Sequence, residues 1–128
     1  MKLNIILLLI FLIFNGCSDY QDSYKNREKA VDMVVNYILP GDTTTLYDIM
    51  NTAFKIEQQM NNILTFEGWN AKFVSGDVYR VWFSFTENSI SASVIFVVDT
   101  KSGVVKGVNK SAQMFLTIQR NFYRKIHP

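Results

Sequence analysis

Residues 78–99, VYRVWFSFTENSISASVIFVVD, decide the fold. Tyr79, Val81, Phe83 and Phe85 alternate with smaller or polar neighbours, and Ile90, Ala92, Val94, Phe96 and Val98 do the same further on. An extended chain turns successive side chains to opposite faces, so this period of two reads as a half-buried β-hairpin and not as a helix. A two-residue turn at Glu87-Asn88 sets Phe85 against Ile90, Phe83 against Ala92, Val81 against Val94 and Tyr79 against Phe96. A slip by one residue would divide these sets between the two faces, so burial of one face fixes the parity of the pairing.

Upstream, Trp69, Ala71 and Phe73 continue the alternation, and a turn at Ser75-Gly76-Asp77 sets Phe73 against Tyr79, Ala71 against Val81 and Trp69 against Phe83. Downstream, Asp99 to Gly103 is a second turn, with Gly103 suited to a left-handed backbone position, and residues 104–108 form a short fourth strand. The four strands make an antiparallel meander.

Outside the meander the period changes. Val31, Val34, Val35 and Ile38 recur at helical spacing within residues 27–39, and Pro40-Gly41 ends that helix. Thr45 followed by Asp48 resembles a capping box, and Leu46, Ile49, Met50, Ala53, Phe54, Met60 and Leu64 then form one stripe, a second helix reaching Leu64 and paired with the first as a hairpin. A last helix, capped by Asn109 or Ser111, carries Ala112, Phe115, Leu116, Phe122, Tyr123 and Ile126 along one side. The expected fold is α+β: two helices, a four-stranded antiparallel meander and a C-terminal helix, with residues 27–128 as one domain and the helices on one face of the sheet. The spacing of Trp69, Ala71, Gly76, Tyr79, Val81, Phe83, Val97-Val98-Asp99, Gly103, Val105 and Asn109 resembles that of small exported cystatin-like or NTF2-like domains, over about half of the chain.

The N-terminus carries an address. Lys2 is followed by an apolar run from Ile5 to Phe14 and then by Asn15, Gly16 and Cys17, the layout of a signal peptide over residues 1–16. A membrane-spanning helix needs about 20 apolar residues, about twice what this run offers. An uncleaved signal anchor is the other reading of the same run. Phe14-Asn15-Gly16-Cys17 resembles the lipobox of bacterial lipoproteins in Gly16 and Cys17, with Phe14 where Leu is usual and Asn15 where a small residue is usual. That resemblance implies cleavage before Cys17, a diacylglycerol thioether on Cys17 and an acylated new N-terminus, which together give stable anchoring. It also implies, through Ser18, the outer membrane facing the periplasm if the host is Gram-negative. Residues 17–26 then read as the lipidated cysteine and a polar tether.

The chemistry on offer is sparse. One histidine and one cysteine are present among 128 residues. His127 stands beside Pro128, a poor place to hold a general base, and Cys17 is committed to the anchor, so no catalytic residue, metal ligand or cofactor is expected. Asp77, Glu87 and Asp99 lie in or beside turns, where such residues commonly satisfy backbone groups; a carboxylate-based hydrolase built on them is the remaining enzymatic reading. Gly41 to Thr45 lacks the spacing of a phosphate loop and reads as a helix cap. The net charge of +2 argues against nucleic acid as a partner. Arg120, Arg124 and Lys125 are a local exception, suited to anionic headgroups or to the C-terminal end of a helix dipole.

The sheet face turned away from Phe83 and Phe85 is more informative. There Trp82, Arg80, Ile95 and Val97 lie beside Val78, Ser84, Ser91 and Ser93, and Trp and Arg are enriched at binding hot spots. Either this face meets a partner or the last helix crosses and covers it. The expectation is a lipid-anchored, non-catalytic binding or adaptor module of the cell envelope, with the membrane and an envelope protein as partners. The alternative is an inhibitor or immunity lipoprotein acting on an envelope hydrolase, toxin or phage component.

Overall fold

A computed structural model describes residues 22–128. Along the chain these form α1 (Tyr24–Val35), α2 (Leu46–Gln59), β1 (Leu64–Ser75), β2 (Val78–Glu87), β3 (Ile90–Asp99), β4 (Val105–Gly107) and α3 (Lys110–Ile126). The strands make one antiparallel sheet in the order β1-β2-β3-β4, and the three helices of the described residues pack on one face of it. The α+β architecture with a four-stranded meander is therefore the fold. The expected signal peptide, Cys17 and the residues as far as Gln21 lie outside the described residues.

The core is built from alternate strand residues closed over by the helices. Val81, Val94, Phe96 and Val98 are fully buried, and Ala30 and Val34 of α1, Leu46 and Met50 of α2, and Ala112 and Phe115 of α3 pack on them. Rings join the layers: Phe54 of α2 lies 5.1 Å from Phe85, 5.7 Å from Phe83 and 6.0 Å from Phe115, between ring centroids. Ring pairs at such separations add to what their buried area contributes.

Several boundaries differ from the sequence reading, each for a local reason. The first helix begins at Tyr24 because Ser23 caps it, its side chain accepting from Asn26 N, and it ends at Val35, well before Pro40. Residues 22–26, expected in the tether, therefore belong to the domain; Asp22 accepts a hydrogen bond from Phe73 N at 3.1 Å. The connection to α2 spans residues 36–45 and is no tight helical hairpin. The second helix stops at Gln59, since Asn61 takes a left-handed φ of 66° that breaks the helix, and Leu64 opens β1 instead of closing the stripe. The capping box at its start is present, Thr45 Oγ1 accepting from Asp48 N while the Asp48 carboxylate accepts from Thr45 N.

In the hairpin the turn falls at Asn88-Ser89, not Glu87-Asn88, so the pairs are Phe85 with Ala92, Phe83 with Val94, Val81 with Phe96 and Tyr79 with Val98. Both turn residues have positive φ, 50° and 69°. That is what a two-residue turn matching the twist of its strands requires, and Asn tolerates it well. Asn88 is tied in place as well, its side chain accepting from Ile63 N and donating to Asn62. The shift is by two residues, so every side chain keeps its expected face. Between β1 and β2 the expected pairs of Phe73, Ala71 and Trp69 are present, with an irregularity between Phe73 and Ser75 that leaves Gly76-Asp77 as the turn.

Asn109 sets the position of the last helix. Its side chain accepts from Ala112 N as the helix cap, and the same carboxamide accepts from Ile95 N and donates to Ser93 O on the edge of β3. One side chain thus extends the sheet ladder and starts the helix. The approach is close: a Cβ on Gly107 would sit 2.6 Å from Gln113 N. Further along, Gln119 is buried at 1 % exposure, and its Nε2 donates to the carbonyls of Tyr37 (2.9 Å) and Thr44 (3.2 Å) in the α1–α2 connection. Phe122 and Ile126, expected along the same side of the helix as Ala112 and Phe115, are instead 43 % and 49 % exposed.

Candidate partner-binding face

The outward residues of the sheet form rows at right angles to the strands. Register places Asn70, Trp82 and Ile95 in one row and Lys72, Arg80, Val97 and Lys106 in the next. Ser84 with Ser93 and Thr86 with Ser91 make the polar rows beyond. Trp82, Ile95 and Val97 are half-buried, while Lys72, Arg80 and Lys106 are exposed. Strands lie about 4.8 Å apart, so the row of cations from Lys72 to Lys106 extends over roughly 14 Å.

No element of the described residues covers this face. The last helix, the one element that could have crossed it, packs on the opposite side, where Ala112 and Phe115 join Val94 and Phe96 in the core. Trp82, Arg80, Ile95 and Val97 are thus brought together as the sequence reading placed them, in two adjacent rows on an open face. Cross-strand neighbours lie close enough for Trp82 and Ile95 to shield each other, which explains how an uncovered row stays half-buried.

The turn carboxylates are not brought together. Asp77 and Asp99 stand at one end of the hairpin and Glu87 at the other, separated by the length of β2, about 30 Å at 3.3 Å per residue. Asp99 has a local duty: its carboxylate accepts from Lys101 N (2.9 Å) and Ser102 N (3.2 Å). The backbone amides of Ser102 and Lys101 hold its pKa below the ordinary carboxylate value. The Asp77 carbonyl accepts from Thr100 N and Oγ1. In the Gly41 to Thr45 segment the Asp42 carboxylate accepts from Thr43 N and Thr44 N, so it is a turn leading into a helix cap. The His127 ring lies 4.5 Å from Tyr123. Among the described residues no three His, Cys, Asp or Glu side chains cluster as metal ligands, and no helix is long and apolar enough to cross a membrane.

Sequence reasoning missed a cleft between α2 and the free edge of the sheet. It has a volume of about 300 Å³ and is walled by Tyr47, Met50, Phe54, Phe66, Trp69 and Phe83, with Asn51 as its polar group. Tyr47 and Phe66 are nearly half exposed. Phe66 and Tyr47 read locally as ordinary apolar positions; only the divergence of α2 from β1 makes them a wall. Compared with family models, with curated proteins and with solved structures, the chain matches none.

Proposed function

We propose that the protein is a lipid-anchored, non-catalytic binding module of the cell envelope, held through acylated Cys17 and meeting an envelope protein with the sheet face of Trp82, Arg80, Ile95 and Val97. The observation that carries the reading is that face: a tryptophan and two aliphatic residues beside a row of cations, left open by three helices that all pack on the other side. Trp and Arg at the centre of such a patch are the usual anchors of a protein interface. Asp22, which accepts a hydrogen bond from Phe73 N within the domain, is five residues after Cys17, so an anchor there keeps the domain within about 18 Å of the bilayer surface. The signal-peptide layout and the Gly16-Cys17 junction supply the address, and the likeness to small exported domains belongs to the same reading.

Two experiments test it. Cys17→Ala should abolish fatty-acid labelling and leave an uncleaved precursor; unchanged labelling removes the anchor. In-cell crosslinking read by mass spectrometry should identify an envelope protein that Trp82→Ala loses. A second reading, an inhibitor or immunity lipoprotein, is favoured by the aromatic cleft at the edge of β1, which offers a pocket for an inserted side chain. Crosslinks that survive Trp82→Ala but are lost with Phe66→Ala would select it.

A further inference from the structure

The outward side of α3 is unlike the other helix surfaces of the described residues. Met114, Ile118, Phe122 and Ile126 recur every fourth residue and are 51 %, 40 %, 43 % and 49 % exposed. Residues four apart lie one above the other on a helix, so these four form a continuous apolar ridge. The same helix carries Lys110, Arg120, Arg124 and Lys125 and no acidic residue, and none of these cations is ion-paired among the described residues. The ridge is held as a rigid unit, since Asn109 fixes the start of α3 to β3 and Gln119 fixes its middle to the α1–α2 connection.

We infer that α3 is a second membrane contact, its apolar ridge lying in the interfacial region of a bilayer and its four cations meeting anionic lipid headgroups. Apolar side chains flanked by Lys and Arg are what a helix lying in that interface requires, since burial of the ridge and attraction to anionic lipid add together. Charge decides between occupants. A second copy of α3 would bring four cations against four cations, whereas an anionic surface complements them. The exposed side of α1 provides the internal contrast: Lys25 and Lys29 alternate there with Glu28 and Asp32, and the charges cancel. Because α3 packs on the helical side of the sheet, this contact turns the Trp82 face away from the bilayer. Of the proposed function it uses only the location at a membrane.

The test uses the full chain carrying Phe122→Trp, reconstituted into vesicles of phosphatidylcholine alone or with about 30 % phosphatidylglycerol, an anionic fraction at which each nearby cation adds to attachment. The readout is quenching of tryptophan emission by lipids brominated in the upper acyl chain, relative to the parent with only Trp69 and Trp82. Ile118→Trp, one turn earlier, repeats the reading at a second exposed site. The expected result is a quenched component present only in the anionic vesicles. Arg120→Gln, Arg124→Gln and Lys125→Gln together should lower the docking equilibrium that it reports on the order of a hundredfold. No added quenching at either site overturns the inference, as does equal quenching in both kinds of vesicle. Protection that rises with protein density instead of with phosphatidylglycerol assigns the ridge to a second copy and overturns it too. The mass of the N-terminal peptide reports acylation of Cys17 separately, so loss of the anchor and failure of the α3 contact are distinguishable.

Discussion

The two faces of the sheet are written by the same strands, residue by residue in alternation, yet they obey different rules. On the inner face Val81, Val94, Phe96 and Val98 are fully buried, and each must fit the helices above it. On the outer face Arg80, Trp82, Ile95 and Val97 pair with one another across the strands, and no helix of the described residues packs over them. The inner face is constrained by packing. The outer face is free of that constraint among the described residues, and a tryptophan there beside arginine is what the proposed partner contact rests on.

The largest effect should follow from breaking the inner face. Phe96→Ala removes a fully buried ring and should cost about 3–5 kcal/mol in chemical denaturation. Next, Gln119→Ala leaves the carbonyls of Tyr37 and Thr44 without their donor in a buried site and should cost about 2–3 kcal/mol, a loss that Gln119→Leu should not restore. Gly107→Ala should come third, at about 1–3 kcal/mol, because the added methyl meets the backbone of α3 and the helix must shift. Trp82→Ala and Arg80→Ala on the outer face should each cost about 1 kcal/mol or less while abolishing crosslinks to the partner. If Trp82→Ala unfolds the protein as Phe96→Ala does, the distinction between the faces fails.

The smallest effect concerns pH at the turn of Asp99. Its folded pKa is lowered, so the stability it contributes is present above the unfolded carboxylate pKa of about 3.9 and is lost as pH falls through the folded value. Asp99→Asn should therefore lower the urea midpoint slightly at neutral pH. The gap from the parent should close in acid. A gap that persists there would assign the effect to the turn's shape and not to charge.

This contrast also explains what could be read in the sequence. Faces were legible because alternation fixes parity, and parity survives the two-residue change of register that follows when the turn moves one position, from Glu87-Asn88 to Asn88-Ser89. The register was not legible, since both turns bury the same side chains and only the left-handed backbone at Asn88 and Ser89 selects between them. Trp82, Arg80, Ile95 and Val97 were placed together by the same parity argument. Phe122 and Ile126 were placed along one side with Ala112 and Phe115 because helical periodicity reports which positions are apolar, not which of them a neighbouring element covers. Gln119 carried no signal at all: a buried glutamine looks like a solvated one until the carbonyls of Tyr37 and Thr44 come within reach. The aromatic cleft was likewise invisible, being a product of how α2 diverges from β1.

The central claim is that the anchored domain offers its open sheet face to a partner, and in-cell crosslinking of the parent and Trp82→Ala chains, read by mass spectrometry, tests it most directly. The account predicts one defined envelope protein crosslinked to the parent and absent from a Trp82→Ala chain that is still folded and still acylated. The same protein crosslinked equally to both chains, or no specific protein with either, would contradict it.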